Sequence, residues 1–151
     1  MTGSPLTGKC GLYCGACDIY RAERDSQELV EKLAAAFKCK PEVVRCNGCG
    51  DLKPDSWSFD CPIVMCLREK DLHFCFECSE FENRSCAKYE DVAQRYLEAG
   101  EDIRAASQMI KSKGEDAWLE QCRIKYACTH CGKTLIIAAE RCHHCKTAVA
   151  K

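Results

Sequence analysis

Long apolar runs are missing from this 151-residue chain, and so are blocks of like charge, a glycine-rich phosphate loop and a His-Glu-x-x-His helix. Each absence removes a class of function. No stretch approaches the roughly 18 apolar residues of a membrane span. Residues 1–9 carry no apolar signal-peptide core and run directly into the first cysteines, so the expected compartment is a reducing cytoplasm. Lys and Arg number 22 against 23 Asp and Glu, and they are dispersed, so no basic field is available for nucleic acid. The zinc-deaminase pattern is absent because no His-x-Glu precedes a Pro-Cys-x-x-Cys. Aromatics make up 8% of the chain, and without the cysteines the conventional core-forming share falls to roughly a third. A core that thin calls for staples.

The staples are cysteines, 16 of them. In a reducing compartment, paired cysteines read as metal ligands or redox groups before they read as disulfides. Ten lie in five groups between Cys10 and Cys86: Cys10-Gly11-Leu12-Tyr13-Cys14-Gly15-Ala16-Cys17, Cys46-Asn47-Gly48-Cys49-Gly50, Cys61 with Cys66, Cys75-Phe76-Glu77-Cys78, and Cys86. Two cysteines separated by two residues present both sulfurs to one tetrahedral ion from a single tight turn, and two such turns complete its shell. A glycine after the second cysteine strengthens the pattern, since that position often needs a positive φ; Gly50 and Gly132 are the expected examples. One economical partition places Cys14, Cys17, Cys46 and Cys49 on one ion and Cys61, Cys66, Cys75 and Cys78 on another. Cys10 and Cys86 then either replace a member of these sets or bridge two ions. Cys39 and Cys122 lack a knuckle partner and read as structural. His73, His130, His143 and His144 each adjoin cysteines already at good spacing, which take precedence as ligands.

At the C-terminus, Cys128-Thr129-His130-Cys131-Gly132 and Cys142-His143-His144-Cys145 flank the β-prone run Thr134-Leu135-Ile136-Ile137-Ala138. This spacing predicts a zinc ribbon over 126–151, with two knuckles joined by a hairpin and Cys128, Cys131, Cys142 and Cys145 on one structural zinc.

Between the cysteine groups the periodicity is helical. Asp25 and Glu28 fit a capping box, after which Val30, Leu33, Ala34 and Phe37 share a face until Pro41. The stretch from 46 to 86 shows little sustained period and is expected to be loop and knuckle ordered by metal. From 89 to about 126 three short helices are predicted, broken at Gly100 and Gly114. The expected fold is therefore a small, metal-dominated α+β structure: an irregular zinc-knuckle region packed with short helices over 1–125, and a ribbon hairpin over 126–151.

The Cys10-x-x-x-Cys14-x-x-Cys17 spacing is also the one by which radical enzymes using S-adenosylmethionine hold a four-iron cluster. Those enzymes build a βα barrel around it, and this chain has no strand-helix alternation to supply one. A plain iron-sulfur cluster stays open, because thiolate spacing does not separate zinc from iron. Glu77 reads as a solvated loop residue, since a four-cysteine site leaves no position for water.

With these residues laid out, the chain resembles a cysteine-rich prokaryotic family of domains without assigned function. The resemblance rests on Cys10-Gly11-Leu12-Tyr13-Cys14 with Cys17, Arg45-Cys46-Asn47-Gly48-Cys49, Cys61-Pro62-Ile63 with Cys66, and Phe74-Cys75-Phe76-Glu77-Cys78 with Phe81. It continues through Ile110-Lys111 with Gly114, and Trp118-Leu119, into the terminal knuckles. It implies zinc binding and no established activity. A departure follows Phe81, where similar sequences carry Pro-Cys and this chain has Glu82-Asn83-Arg84-Ser85-Cys86. The expected function is a cytoplasmic zinc-binding protein holding about three ions, non-enzymatic, acting as an interaction or adaptor module for a protein partner. The competing expectation is an iron-sulfur or thiol redox protein using Cys10, Cys14 and Cys17, with Cys86 as a resolving or cluster thiol.

Overall fold

The structure, a computed structural model, describes residues 4–150. It is helical: α1 (Asp18–Asp25), α2 (Gln27–Phe37), α3 (Pro62–Lys70), α4 (Ser79–Glu82), α5 (Ala87–Glu98), α6 (Ile103–Lys113) and α7 (Glu115–Lys125), with 3-10 turns at Cys14–Ala16, Pro41–Val43, Cys49–Asp51 and Cys75–Glu77. With the 3-10 turns included, about 53% of the described residues are helical, and no strand or sheet forms among them. The α+β expectation and its ribbon hairpin are therefore overturned. The β-prone run after Gly132 directs its amides to separate acceptors: Leu135 donates to Tyr126 O at 2.7 Å and Ile137 to Ala16 O at 2.9 Å. With its hydrogen bonds spent on a knuckle and on the N-terminal turn, the run has no partner strand. Extended pairing reduces to isolated bridges, Ala127 with Thr134 and Arg141 with Ala148 among them.

Two further expectations are corrected. Ser26, not Asp25, caps α2; its hydroxyl accepts the Leu29 amide at 3.2 Å, while Asp25 closes the preceding helix α1. The 46–86 stretch is not only loop. Pro62 sits at the start of α3, where its missing N–H costs nothing, and Ile63, Val64 and Leu67 are buried from that helix. The three helices beyond 86 fall where the two glycines divide them, with Gly100 at φ 88° and Gly114 at φ 92°.

The segment 10–22 organises the core. Leu12 belongs to a buried cluster with Ile63, Leu67, Phe81, Tyr89 and Ile103, whereas its neighbour Tyr13 enters a second cluster with Ile110, Trp118, Cys122 and Tyr126. Tyr13 stacks on Tyr126 at 5.4 Å and meets Trp118 edge-on at 6.0 Å. Ile19 and Ala22 of α1 then join Val30 and Ala34 of α2 in a third cluster that includes Cys46. Gly11 makes this branching possible. It adopts φ 97°, and a Cβ there would lie 2.4 Å from both Ile103 O and Ser107 Oγ. Above it, Tyr89 Oη donates to Cys10 O at 2.8 Å and Ser107 Oγ reaches the same carbonyl at 3.0 Å. The first cysteine turn is thus fixed to α5 and α6 by packing and neutral hydrogen bonds.

Candidate metal centre

The clearest site lies after α7. Residues 126–135 and 140–149 repeat one hydrogen-bond plan. In each, the first cysteine's amide closes a turn, Cys128 onto Lys133 O at 2.8 Å and Cys142 onto Thr147 O at 2.9 Å. The amide after the second cysteine returns to the first, Gly132 onto Cys128 O at 2.8 Å and Lys146 onto Cys142 O at 2.9 Å. Both returning residues are left-handed, Gly132 at φ 78° and Lys146 at φ 63°. The expectation for Gly132 therefore holds. In the N-terminal counterpart the positive φ falls on Gly48, at 93°, while Gly50 lies inside the 3-10 turn.

The two knuckles bring Cys128, Cys131, Cys142 and Cys145 together with all four sulfurs within 4.8 Å of one another. Cys128 Sγ lies 3.8 Å from Cys145 Sγ, and Cys131 Sγ lies 3.8 Å from Cys142 Sγ. A disulfide needs about 2.05 Å. Sulfurs bound at about 2.3 Å to one tetrahedral ion are separated by about 3.8 Å. The tetrad can therefore hold a metal ion.

Its protonation pattern suits that task. Cys145 is lowered to about 5, chiefly by the Thr147 hydroxyl and amide, with His130 contributing. Cys128 is also lowered, by the amides of Cys131 and His130. For Cys131 the Lys133 amide favours the thiolate, but burial and the neighbouring sulfurs outweigh it and carry the thiol up to about 11. Cys145 is thus prepared as an anion, Cys128 is shifted toward one, and the Cys131 thiol gives up its proton when a cation enters.

The N-terminal cysteines are arranged differently. Among the described residues, no three of them bring their sulfurs within 4.8 Å of one another. Cys66, Cys75, Cys78 and Cys86 line one small apolar cavity, with Lys70 and Lys88 at its rim. Lys70 Nζ lies 3.4 Å from Cys78 Sγ, and Cys86 Sγ accepts the Tyr89 amide at 3.4 Å as the cap of α5. Cys61 stands outside this cavity and packs with Cys10 against the cluster of Leu12. Cys14 directs its proton at Cys49, which raises Cys14 and lowers Cys49 to about 7. Burial raises Cys10, pushes Cys17 up to about 12, and raises Cys46. Cys75 is likewise pushed up to about 12 by burial, with the Cys86 sulfur adding to the rise. Cys39 packs against the cluster of α1 and α2, and Cys122 is buried beside Trp118. Glu77 is exposed and accepts the His73 amide at 3.3 Å.

A second convergence escaped the sequence reading. Asp25, His143 and His144 bring one ligand atom each within 4.8 Å of one another. The adjacent histidines inside a cysteine knuckle were the available signal. Nothing in the sequence ties Asp25 to them across so many residues.

A model for a family described as "Protein of unknown function (DUF3795)" matches residues 6–91, more than half of the chain. The chain belongs to this family. The match takes in every cysteine from Cys10 to Cys86 and stops before the terminal tetrad. No curated protein and no solved structure matches the chain. No helix among the described residues is long and apolar enough to cross a membrane.

Proposed function

We propose that this protein is a cytoplasmic zinc protein in which Cys128, Cys131, Cys142 and Cys145 hold one ion as a structural site. The observation that carries the reading is the pair of 3.8 Å sulfur separations, which match the edges of a tetrahedral four-thiolate shell. Four sulfurs fill that shell, so no position is left for a substrate or for attacking water, and the role that fits is architectural. Zinc suits a closed thiolate tetrahedron and adds no redox chemistry of its own.

The reading extends to the N-terminal cysteines as further donors. Cys66, Cys75 and Cys78, with Cys86 in place of Cys61, face one cavity, and an ion there would displace the proton that burial now retains on Cys75. Cys10, Cys14, Cys17, Cys46, Cys49 and Cys61 complete the donor set, for about three zinc ions in all. A protein partner fits the mixed surface charge of net -1 better than nucleic acid does. A thiol redox role is the second reading, and the Cys14–Cys49 pair supports it, because a thiol directed at a sulfur already lowered to about 7 is the arrangement of a reactive dithiol.

Elemental analysis and a visible spectrum, taken on protein purified anaerobically without affinity metals, test the choice. Zinc in a colourless protein is the expected result. Iron with acid-labile sulfide would replace the zinc reading with an iron-sulfur centre.

A further inference from the structure

The second knuckle carries more than cysteine. Its two middle residues, His143 and His144, reach back to the last residue of α1. His143 Nε2 lies 2.9 Å from Asp25 Oδ2, and His144 Nε2 lies 3.3 Å from the same oxygen. The three side chains are only 9%, 17% and 11% exposed for His143, His144 and Asp25, and the two rings stand 4.0 Å apart, centroid to centroid. Arg21, one turn earlier on α1, holds the carboxylate from the other side, with Nη2 3.2 Å from Oδ1 and Nε 2.9 Å from Oδ2. The other nearby charges are Lys133, which faces His144, and Lys146, whose Nζ lies 3.9 Å from Glu28.

Hydrogen bonding alone accounts poorly for this geometry. Both rings would have to carry their proton on Nε2 and direct it at one oxygen that Arg21 already approaches. His143 Nδ1 is buried without a partner whichever tautomer the ring adopts. A cation bound by the three converging lone pairs removes the competition. Imidazole nitrogens and a carboxylate oxygen at about 2.0–2.2 Å from one ion are about 2.9–3.4 Å apart, depending on coordination geometry. The two observed separations fall in that interval. Arg21 then orients the carboxylate by holding Oδ1, the usual place of an outer partner of a ligating carboxylate.

We propose that Asp25, His143 and His144 form a second, mononuclear site for a first-row divalent transition metal, open to water or a small ligand at its remaining positions. Two imidazoles and one carboxylate are a harder and less saturated donor set than the neighbouring thiolate tetrad, so the ion held here is the exchangeable one. The site rests on the proposed function in one respect: closure of the second knuckle on Cys142 and Cys145 is what presents both histidines to α1. Both histidines lie outside the segment that matches the family while Asp25 lies inside it, so the site joins that segment to the knuckles that follow.

The test uses the full chain, titrated with Co²⁺ and followed by near-ultraviolet and visible absorption, with bound metal counted after gel filtration. Thiolate sites give an intense sulfur-to-cobalt charge-transfer band, and a site of imidazole and carboxylate gives only weak d–d absorption. Wild type is expected to bind one equivalent more than the H143A/H144A variant, with the charge-transfer band equal in the two. Asp25→Asn, which keeps the shape of the side chain, is expected to weaken that equivalent at least tenfold without altering the band. Equal cobalt content and equal spectra in wild type and H143A/H144A would overturn the proposal. Absence of the charge-transfer band from wild type itself would overturn the four-cysteine reading instead, so the two failures are distinguishable.

Discussion

The two cysteine-rich parts of this molecule set the same residue in different surroundings. From 127 to 150 the chain has little of its own to fold around: Leu135 and Val149 pack beside its cysteines, while Ile137 turns away to pack on the main clusters. Its sulfurs converge, and both knuckles set their amides and left-handed turns to make them converge. From 10 to 86 most of the cysteines sit in or against two apolar clusters that include Ile63, Leu67, Phe81 and Ile19, each buried side chain being worth about 1.5–3 kcal/mol. There the cysteines occupy helix caps, 3-10 turns and cluster edges. Spacing by itself therefore identifies a knuckle, and the surroundings decide whether metal or packing holds it.

The largest effect that would sharpen this contrast is metal removal. After treatment with a strong chelator, limited proteolysis should cut first between 127 and 150, while α5 to α7 stay protected, because only the terminal segment lacks an apolar core of its own. Simultaneous loss of both parts would erase the distinction. A substitution pair comes next. Gly11→Ala forces a Cβ to 2.4 Å from Ile103 O at φ 97°, and should cost about 3 kcal/mol in urea unfolding. Gly132→Ala has a positive φ of 78° but nothing within 4 Å, and should cost only about 1 kcal/mol. Equal costs would show that the N-terminal turn is not held by packing.

Smaller still is Tyr89→Phe. It removes the hydroxyl that donates to Cys10 O at 2.8 Å but leaves Ser107 on the same carbonyl, so a loss of about 1 kcal/mol is expected by the same unfolding measurement. The last prediction concerns reactivity. In the metal-free protein at pH 7, Cys49, which the Cys14 thiol lowers to about 7, is about half thiolate, whereas Cys17, at about 12, keeps its proton. Reactivity follows the thiolate, so raising the pH above 7 should increase the rate at Cys49 by no more than about twofold and that at Cys17 about tenfold per unit. Mass-spectrometric mapping of iodoacetamide adducts reads both rates, and labelling of Cys17 ahead of Cys49 would contradict the assignment.

How much of this could be read from residues alone follows the same division. The terminal tetrad was legible because Cys-x-x-Cys, a following glycine and a second Cys-x-x-Cys encode a local turn that needs no distant information. The hairpin expected between the knuckles does not form, because the run after Gly132 has β propensity but its hydrogen-bond acceptors, Tyr126 and Ala16, are fixed by tertiary structure. The helices from 87 to 125 were legible from their period and from Gly100 and Gly114. α3 was hidden because Cys61 and Cys66 drew attention as ligands, while Pro62, Ile63 and Leu67 supplied an ordinary helix start and face. Asp25 fitted a helix cap in sequence, and only the fold places it against His143.

The central claim is that Cys128, Cys131, Cys142 and Cys145 hold one ion that orders the terminal knuckles. Its most direct test is native mass spectrometry of the full chain, wild type against Cys142→Ser, with far-ultraviolet circular dichroism on both. The account predicts that the variant carries fewer metal ions, having lost the one in the tetrad, and keeps its helical signal. An unchanged metal count in Cys142→Ser would contradict it.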